Sequence, residues 1–366
     1  MKRIIIVGCG ITGMMTSLAF AKKGLETHIY EKVKSEKFPP DVRTTTFTSF
    51  SKEYMDEIGI WDLLKEESGF VRDIYIVDNK SPKMLHLPRE ENCDRGLVLP
   101  NDFIKNVLYA EVKRNKLVKL HKGVEYKNSK DDIVLACDGR QSQFSSLFET
   151  RVNKSYNQAA IVLVCEHELD HDNVAVEHFM PKGPFAALPM KNQKQSSIVW
   201  SEPLETAEIF KSMEKQKLEQ HLQEKMGDYL GKVKIASEVQ IFPLTAKVTK
   251  NYYKDNIVLI GDSAHGIHPL AGQGLNQGIK DIKAIVEIFS KRLELGLEID
   301  ELALSQYEKE RSKDNFLMYK LTDMLNSLFC NDSLTRRAFR RFGLAFLDEF
   351  SGLKKLISKY GTGLGI

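Results

Sequence analysis

The first hydrophobic run in the chain is short and unbroken. Residues 2–8 read KRIIIVG, four β-branched residues closed by glycine, the pattern of a strand buried on both faces. Met14 to Lys23 then has Met14, Met15, Leu18 and Ala19 as apolar positions, with Gly24 placed to end a helix. Thr27 to Glu31 predicts a second strand. Strand, helix and strand within about thirty residues make a βαβ unit, so the chain opens with an α/β domain built on a parallel sheet.

Further on the texture changes. DIYIVDN and KMLHLPRE, between 70 and 90, and then AAIVLVCEH, SSIVWSE and VKIASEVQIF, between 156 and 250, predict strands of a largely antiparallel sheet. A helical pattern over 204–228 interrupts them. DNIVLIGD at 255–262 predicts a strand that returns to the first domain. From Gly274 onward Leu275, Ile279, Ile282, Val286, Phe289 and Leu293 recur at helical spacing, and further helices are expected over 302–360. The expected architecture is α/β and discontinuous. A Rossmann-like nucleotide domain, a parallel sheet with helices, is assembled from 1–70, 91–155 and 251–300. A mainly antiparallel β-sheet substrate domain comes from 71–90 and 156–250, and a C-terminal helical region from 301–366.

Composition narrows the class. The longest apolar runs, such as Ile4 to Val7 and Ile257 to Ile260, fall far short of the roughly 20 residues of a spanning helix. The N-terminal run is also too short for a secretory leader. Five cysteines (Cys9, Cys93, Cys137, Cys165, Cys330) include no CxxC pair, which fits a reducing compartment such as the cytoplasm and argues against structural zinc. The net charge of +3 gives nucleic-acid binding no support, but its distribution is uneven. Between Ser333 and Ile366 seven basic residues (Arg336, Arg337, Arg340, Arg341, Lys354, Lys355, Lys359) face two acids (Asp348, Glu349), so the tail carries +5 and the remainder is slightly acidic.

The chemistry begins at Gly8-Cys-Gly10-Ile11-Thr12-Gly13, which follows a strand and opens a helix. The turn needs the first glycine, close approach of the backbone to a pyrophosphate needs the second, and helix–strand packing needs the third. The helix N-terminus offers unpaired N–H groups to the phosphates. Glu31, followed by Lys32, closes the second strand where a ribose hydroxyl would need an acceptor. Strand, loop, helix and acid together predict dinucleotide binding.

A second signal lies at 257–278, IVLIGDSAHGIHPLAGQGLNQG. A buried strand ends in Gly261-Asp262, placing a carboxylate at the carboxyl edge of a sheet. After Pro269, Gly272-Gln273-Gly274 opens another helix. A ligand reaching both glycine regions must be long, as FAD is.

GDSAHGIHPLAGQGLNQGIKD resembles the second flavin motif of the aromatic-ring hydroxylases related to para-hydroxybenzoate hydroxylase, and HPLAGQGLN is similar to the form in the ubiquinone-biosynthesis hydroxylases of that group. Asp41-Val-Arg43, Pro100-Asn101-Asp102, Glu177-His-Phe179, the 183–189 stretch GPFAALP, Trp200, Asp314-Asn315 and GLAFLD at 343–348 agree, so the resemblance covers nearly the whole chain. It implies an FAD-binding domain in which Gly8, Gly10 and Gly13 hold the pyrophosphate and Glu31 the adenosine ribose. Arg43 faces the cofactor, Asp262 binds the ribitol or pyrophosphate region, and Gly272, Gln273, Gly274, Leu275 and Asn276 pass beside the isoalloxazine. The middle motif reads Asp138-Gly139-Arg-Gln-Ser142-Gln-Phe-Ser145, with serine where the family has arginine. That departure leaves the route of flavin reduction open, whether NAD(P)H or another electron donor.

The implied reaction is insertion of one oxygen atom of dioxygen into the ring of an activated phenol, with FAD carrying the hard step and the protein supplying orientation and a dry site. A base for the phenol is expected, and the sequence does not assign it. His265 and His268 are weak candidates, read more readily as structural or flavin-neighbouring; with no further ligands nearby, no metal site is predicted. A polyprenylated phenol of ubiquinone biosynthesis is the leading substrate. A small soluble aromatic compound, or a flavin-bound non-catalytic subunit of a quinone-pathway complex, is the alternative. In the tail, Ala338, Phe339, Phe342 and Phe346 share a helical face flanked by arginines. That suits either contact with the inner face of an anionic membrane or plain packing on the domain, and other quinone-pathway enzymes are conceivable partners.

Overall fold

The computed structural model describes residues 2–78, 84–87, 96–268 and 272–329. The expected βαβ unit is formed by Arg3–Val7, the helix Ile11–Lys22 and Thr27–Glu31, and the two strands pair in parallel. The helix starts three residues before the apolar spacing begins, because Gly10 caps it and the first turn need not face the core.

These strands belong to a six-stranded sheet ordered Tyr253–Lys254, Ile257–Leu259, Asp132–Ala136, Arg3–Val7, Thr27–Glu31, Val118–Lys122. All neighbours are parallel except the edge pair Tyr253–Lys254 and Ile257–Leu259. Ile4, Ile5, Ile6, Ile133, Val134 and Val258 are buried, which explains why these strands read as unbroken apolar runs. The helix Ile11–Lys22 packs against both Asn101–Arg114 and Gln273–Glu294.

The second sheet has eight strands. Its order is Val233–Ile235, Thr150–His167, Gln195–Pro203, Gly183–Pro189, Val174–Met180, Asp73–Asp78, Met84–Leu87, and Gln240–Thr249 also pairs with Thr150–His167. Only Val174–Met180 with Asp73–Asp78 is parallel. One face is sealed by the helices Leu204–Ser212 and Lys215–Met226, with Ile161, Phe185 and Trp200 packed in one core with Leu218 and Leu222. A small antiparallel sheet of Thr44–Phe47, Gly96–Pro100 and Gly69–Val71 completes the β structure of the described residues.

The strand Thr150–His167 of this sheet begins inside the 91–155 stretch that sequence patterning assigns to the nucleotide domain. Residues 150–158, TRVNKSYNQ, are mostly polar and largely alternate between exposed and half-buried, with Val152 and Tyr156 too few to read as an apolar run. Pairing with Gln240–Thr249 makes the strand, and a register shift between Ser155 and Ala159 marks its passage into the apolar part. The helix Glu301–Phe329 fills the start of the expected C-terminal helical region; the basic tail, with its proposed membrane contact, and Pro269 lie outside the described residues. Among the described residues no helix is long and apolar enough to cross a membrane.

Candidate active site

Three loops meet at the carboxyl edge of the parallel sheet, and the glycines are what let them meet. Gly8 adopts φ +102°, and a Cβ there would lie 2.8 Å from the Asp138 Cα, so the first loop and the Asp138 loop touch backbone to backbone. A Cβ at Gly13 would lie 2.0 Å from the Gly8 carbonyl oxygen, which only glycine avoids. Gly10, by contrast, has nothing within 4 Å of where its Cβ would be: it borders open space. The third loop closes in at Gly261, whose Cβ position is 3.3 Å from Thr12 Cγ2. The helix Ile11–Lys22 has no side-chain cap and no acid in its first turn, leaving its N–H groups and positive end free for an anion. Gln273–Glu294 likewise has no side-chain cap and no acid in its first turn, and Gly272 before it is left-handed.

Glu31 sits beside the first loop. Its Oε2 accepts from the Cys9 N–H at 2.9 Å and its Oε1 from Val33 at 2.8 Å. Asp138 accepts from the Gln143 N–H at 2.9 Å through Oδ2, while Oδ1 is buried without a hydrogen-bond partner among the described residues. Arg43 makes a two-pronged ion pair with Asp41 (2.7 and 2.8 Å) and lies over the Phe242 ring. Burial alone would raise the Asp41 carboxyl, but hydrogen bonds from Arg43 and Lys105 prevail and hold it down at about 2.

Apart from Gly13 and Asp41, these groups line one cleft of about 1690 Å³, larger than the roughly 300–1,000 Å³ of a single small-molecule pocket. Gly8, Gly10, Ile11, Thr12, Glu31 and Lys32 line one end. Arg43, Asp138, Gly139, Gly261 and Asp262 follow, then Gly272, Gln273, Gly274 and Leu275. Asn276 is absent from the wall. Its side chain accepts from Thr48 N and Ser51 Oγ and donates to the Thr46 and Gly272 carbonyls, clipping the helix start to the small sheet.

Beyond the glycine loops the wall becomes the open face of the antiparallel sheet. Ile76, Glu177, Ala186, Val199 and Val162 are successive cross-strand neighbours, and all line the cleft. Leu317, Leu321, Met324 and Leu325 of the last helix line it too. Glu177 is the one ionisable side chain in its row. Burial pushes its carboxyl up to about 7.

The two histidines separate. His268 lines the cleft, edge-on to Tyr156, and burial with the nearby Arg140 charge pushes it down to about 4, so its ring is neutral at pH 7. His265 is fully buried away from the cleft and pairs with Asp281 through Nε2. Asp281 also accepts from Gly261 N (3.0 Å), Arg311 Nε (2.9 Å) and Asn315 Nδ2 (3.0 Å), so this network ties the Gly261 turn to both long helices. Among the described residues no group of three or more His, Cys, Asp or Glu could hold a metal ion.

Sequence reasoning missed Arg140. From the middle motif it donates to Asp262 Oδ2 (3.0 Å) and to the Thr245 and Ile267 carbonyls (both 2.8 Å), locking the Asp262 loop to the antiparallel sheet. Its place directly after Asp138-Gly139 was the available signal. Glu177 was visible as part of the Glu177-His-Phe179 stretch and as a charge interrupting the apolar run VAVEHFM, neither of which gave it a role.

The FAD binding domain family model matches residues 1–134 and 131–315. The chain is 31% identical over 383 residues to the ubiquinone hydroxylase UbiL of Rhodospirillum rubrum, covering 98% of this chain and 89% of that protein. It is 26% identical over 395 residues to the 3-demethoxyubiquinol 3-hydroxylase of Escherichia coli, covering 99% and 98%. Among solved structures, the p-nitrophenol 4-monooxygenase PnpA of Pseudomonas putida shares the fold with a TM-score of 0.81 at 14% identity, over 100% of this chain and 98% of that one. HpxO of Klebsiella pneumoniae, complexed with FAD and uric acid, does so with a TM-score of 0.75 at 14% identity, over 99% and 96%.

Proposed function

The chain belongs to the FAD-binding domain family and is an FAD-dependent monooxygenase, and from that premise we propose that it hydroxylates the aromatic ring of a polyprenylated phenol in ubiquinone biosynthesis. The observation that carries this reading is the continuity of one cleft from the glycine loops to an apolar sheet face. It has room for a cofactor and for a substrate that is mostly hydrocarbon.

The residues fit FAD. Gly10 leaves space for a pyrophosphate at an uncapped helix end, and Glu31 stands where a ribose hydroxyl can donate to it. Asp138 offers a buried, unsatisfied acceptor, and Asp262, fixed by Arg140, presents a carboxylate to the ribitol or pyrophosphate region. Gly272 to Leu275 would flank the ring system at the second uncapped helix end. When bound and reduced, FAD supplies the activation of dioxygen. The chain's own contribution is to hold the phenol against the sheet face, keep water out with aliphatic side chains, and fix the loops rigidly enough that the reacting atoms stay aligned.

The test is deletion of the gene in its own host followed by mass spectrometry of the quinone intermediates. A prenylated phenol lacking one ring oxygen is expected to accumulate, and its structure identifies the carbon. Unchanged ubiquinone with no intermediate, in a host without a second such enzyme, overturns the reading. Contact of the basic tail with anionic membrane is part of the proposal, and flotation with anionic but not neutral vesicles checks it.

A further inference from the structure

The geometry points to Glu177 as the group that accepts the substrate's phenolic proton: among the described side chains it is the one carboxylate on the apolar sheet face that lines the cofactor cleft. This rests on the ring-hydroxylase reading and deepens it.

Position comes first. Glu177 lies on the strand Val174–Met180, between Ile76 on one neighbour and Ala186 on the other. Side chains alternate along a strand, so Ala175, Glu177 and Phe179 share a face, and all three line the cleft. The surface that Glu177 leaves open therefore faces the cleft. Among the described residues no hydrogen bond or ion pair holds its carboxyl, and burial is the sole cause of its raised pKa. A half-buried acid without a partner among aliphatic side chains costs stability, and such groups cluster where a ligand supplies the partner.

Among the described residues of this sheet face no other group competes. The strand Asp73–Asp78 presents Ile74 and Ile76 to the cleft, and Gly183–Pro189 presents Pro184, Ala186 and Leu188. On the next strand Ser201 lines the cleft, while Glu202 turns to Trp200 and Lys225. Lys154, Tyr156 and Asp323 bond one another where the last helix meets the sheet, and Lys320 lies by the Phe316 and Tyr319 rings. Of the charged groups on the cofactor side, Arg43 is paired with Asp41 and Arg140 with Asp262, and His268 is neutral against Tyr156.

The chemistry needs an acceptor of this kind. Bound, reduced FAD would supply the two electrons with which the O–O bond of dioxygen is cleaved, one oxygen going to the ring carbon and the other leaving as water; on the protein side the phenol O–H bond breaks, its proton passes to Glu177, and its electron pair flows into the ring. Loss of the proton on that carbon then restores aromaticity. A general base works best with a pKa near the operating pH, and burial among aliphatic side chains brings a glutamate there.

The test uses the FAD-loaded protein and a 4-alkylphenol, which stays un-ionised through neutrality. Binding is read from the visible flavin spectrum. Turnover is read as hydroxylated product from a single cycle after chemical reduction of the flavin and addition of oxygen, so the natural electron donor is not needed. For wild type, affinity is expected to rise about tenfold as pH crosses about 7, the order of a hydrogen bond to a charged acceptor. Product yield should follow the same limb. Glu177→Gln should bind without pH dependence and lose on the order of 10²-fold or more in hydroxylation rate. Glu177→Asp, which keeps the carboxylate, should restore the pH limb and carries the test if the glutamine variant loses its flavin. Wild-type pH dependence and rate in a flavin-loaded Glu177→Gln overturn the assignment alone. A wild type that neither binds nor hydroxylates any phenol overturns the ring-hydroxylase reading with it.

Discussion

The two walls of the cleft are made in opposite ways. At the cofactor end, Gly8, Gly10 and Gly13 lie within six consecutive residues, and each has a separate physical duty: a left-handed turn against Asp138, an open border, and a helix packed onto a carbonyl. At the substrate end, Ile76, Glu177, Ala186, Val199 and Val162 are neighbours only because five strands pair in one register. The first wall is a local device that works wherever a strand, a turn and a helix follow one another. The second is a product of sheet assembly, in which a slip of one residue would turn Glu177 onto the opposite face. One wall is specialised for a constant ligand, and the other can be re-lined residue by residue without disturbing the first.

The sharpest break of that comparison is Gly13→Ala. A methyl group 2.0 Å from a backbone oxygen cannot be relieved by a rotamer change, so the strand–helix unit must open. Purified variant is expected to lack flavin absorbance or to be insoluble; a yellow, stable protein would refute the packing argument. Asp281→Ala comes next. It leaves Arg311, only 6% exposed, with Asp314 as its one remaining counter-charge, strips the buried His265 of its partner and frees the Gly261 turn, at a cost of about 3 kcal/mol measurable by chemical denaturation.

Glu177→Gln should act in the reverse direction on stability. Because the folded carboxyl titrates near 7 against an ordinary 4.5, the folded state holds the proton more tightly across that window. The Glu177 contribution to stability therefore falls as pH rises from about 4.5 to about 7, and the variant should gain up to roughly 3 kcal/mol over wild type above pH 7 while gaining nothing below 4.5. Thermal midpoints at acid and alkaline pH check the sign. A gain in stability with a loss in turnover is the signature of a functional group held at structural expense. At the small end, Arg114→Ala removes an exposed helix ion pair with Glu111 and should move stability by no more than about 0.5 kcal/mol, a control for non-specific effects.

By itself the sequence determined the parts governed by neighbours along the chain. The buried run Ile4 to Val7, the glycine spacing, the acid ending the second strand and the helix opened by Gly272 each depend on contacts a few residues apart, and all were legible. The tertiary structure decided what depends on distant pairing. Residues 150–158 became a strand because Gln240–Thr249 offered them hydrogen bonds. His265 and His268, three positions apart in one loop, parted because Asp281, from a helix sixteen residues on, captured the first and left the second on the cleft wall. Asn276, legible as part of a flavin motif, proved to be a clip for Thr46 and Thr48. Glu177 acquired its raised pKa from aliphatic side chains on strands far away in the chain. A carboxylate's chemistry is set by what surrounds it in space, and a linear sequence orders its neighbours only along the backbone.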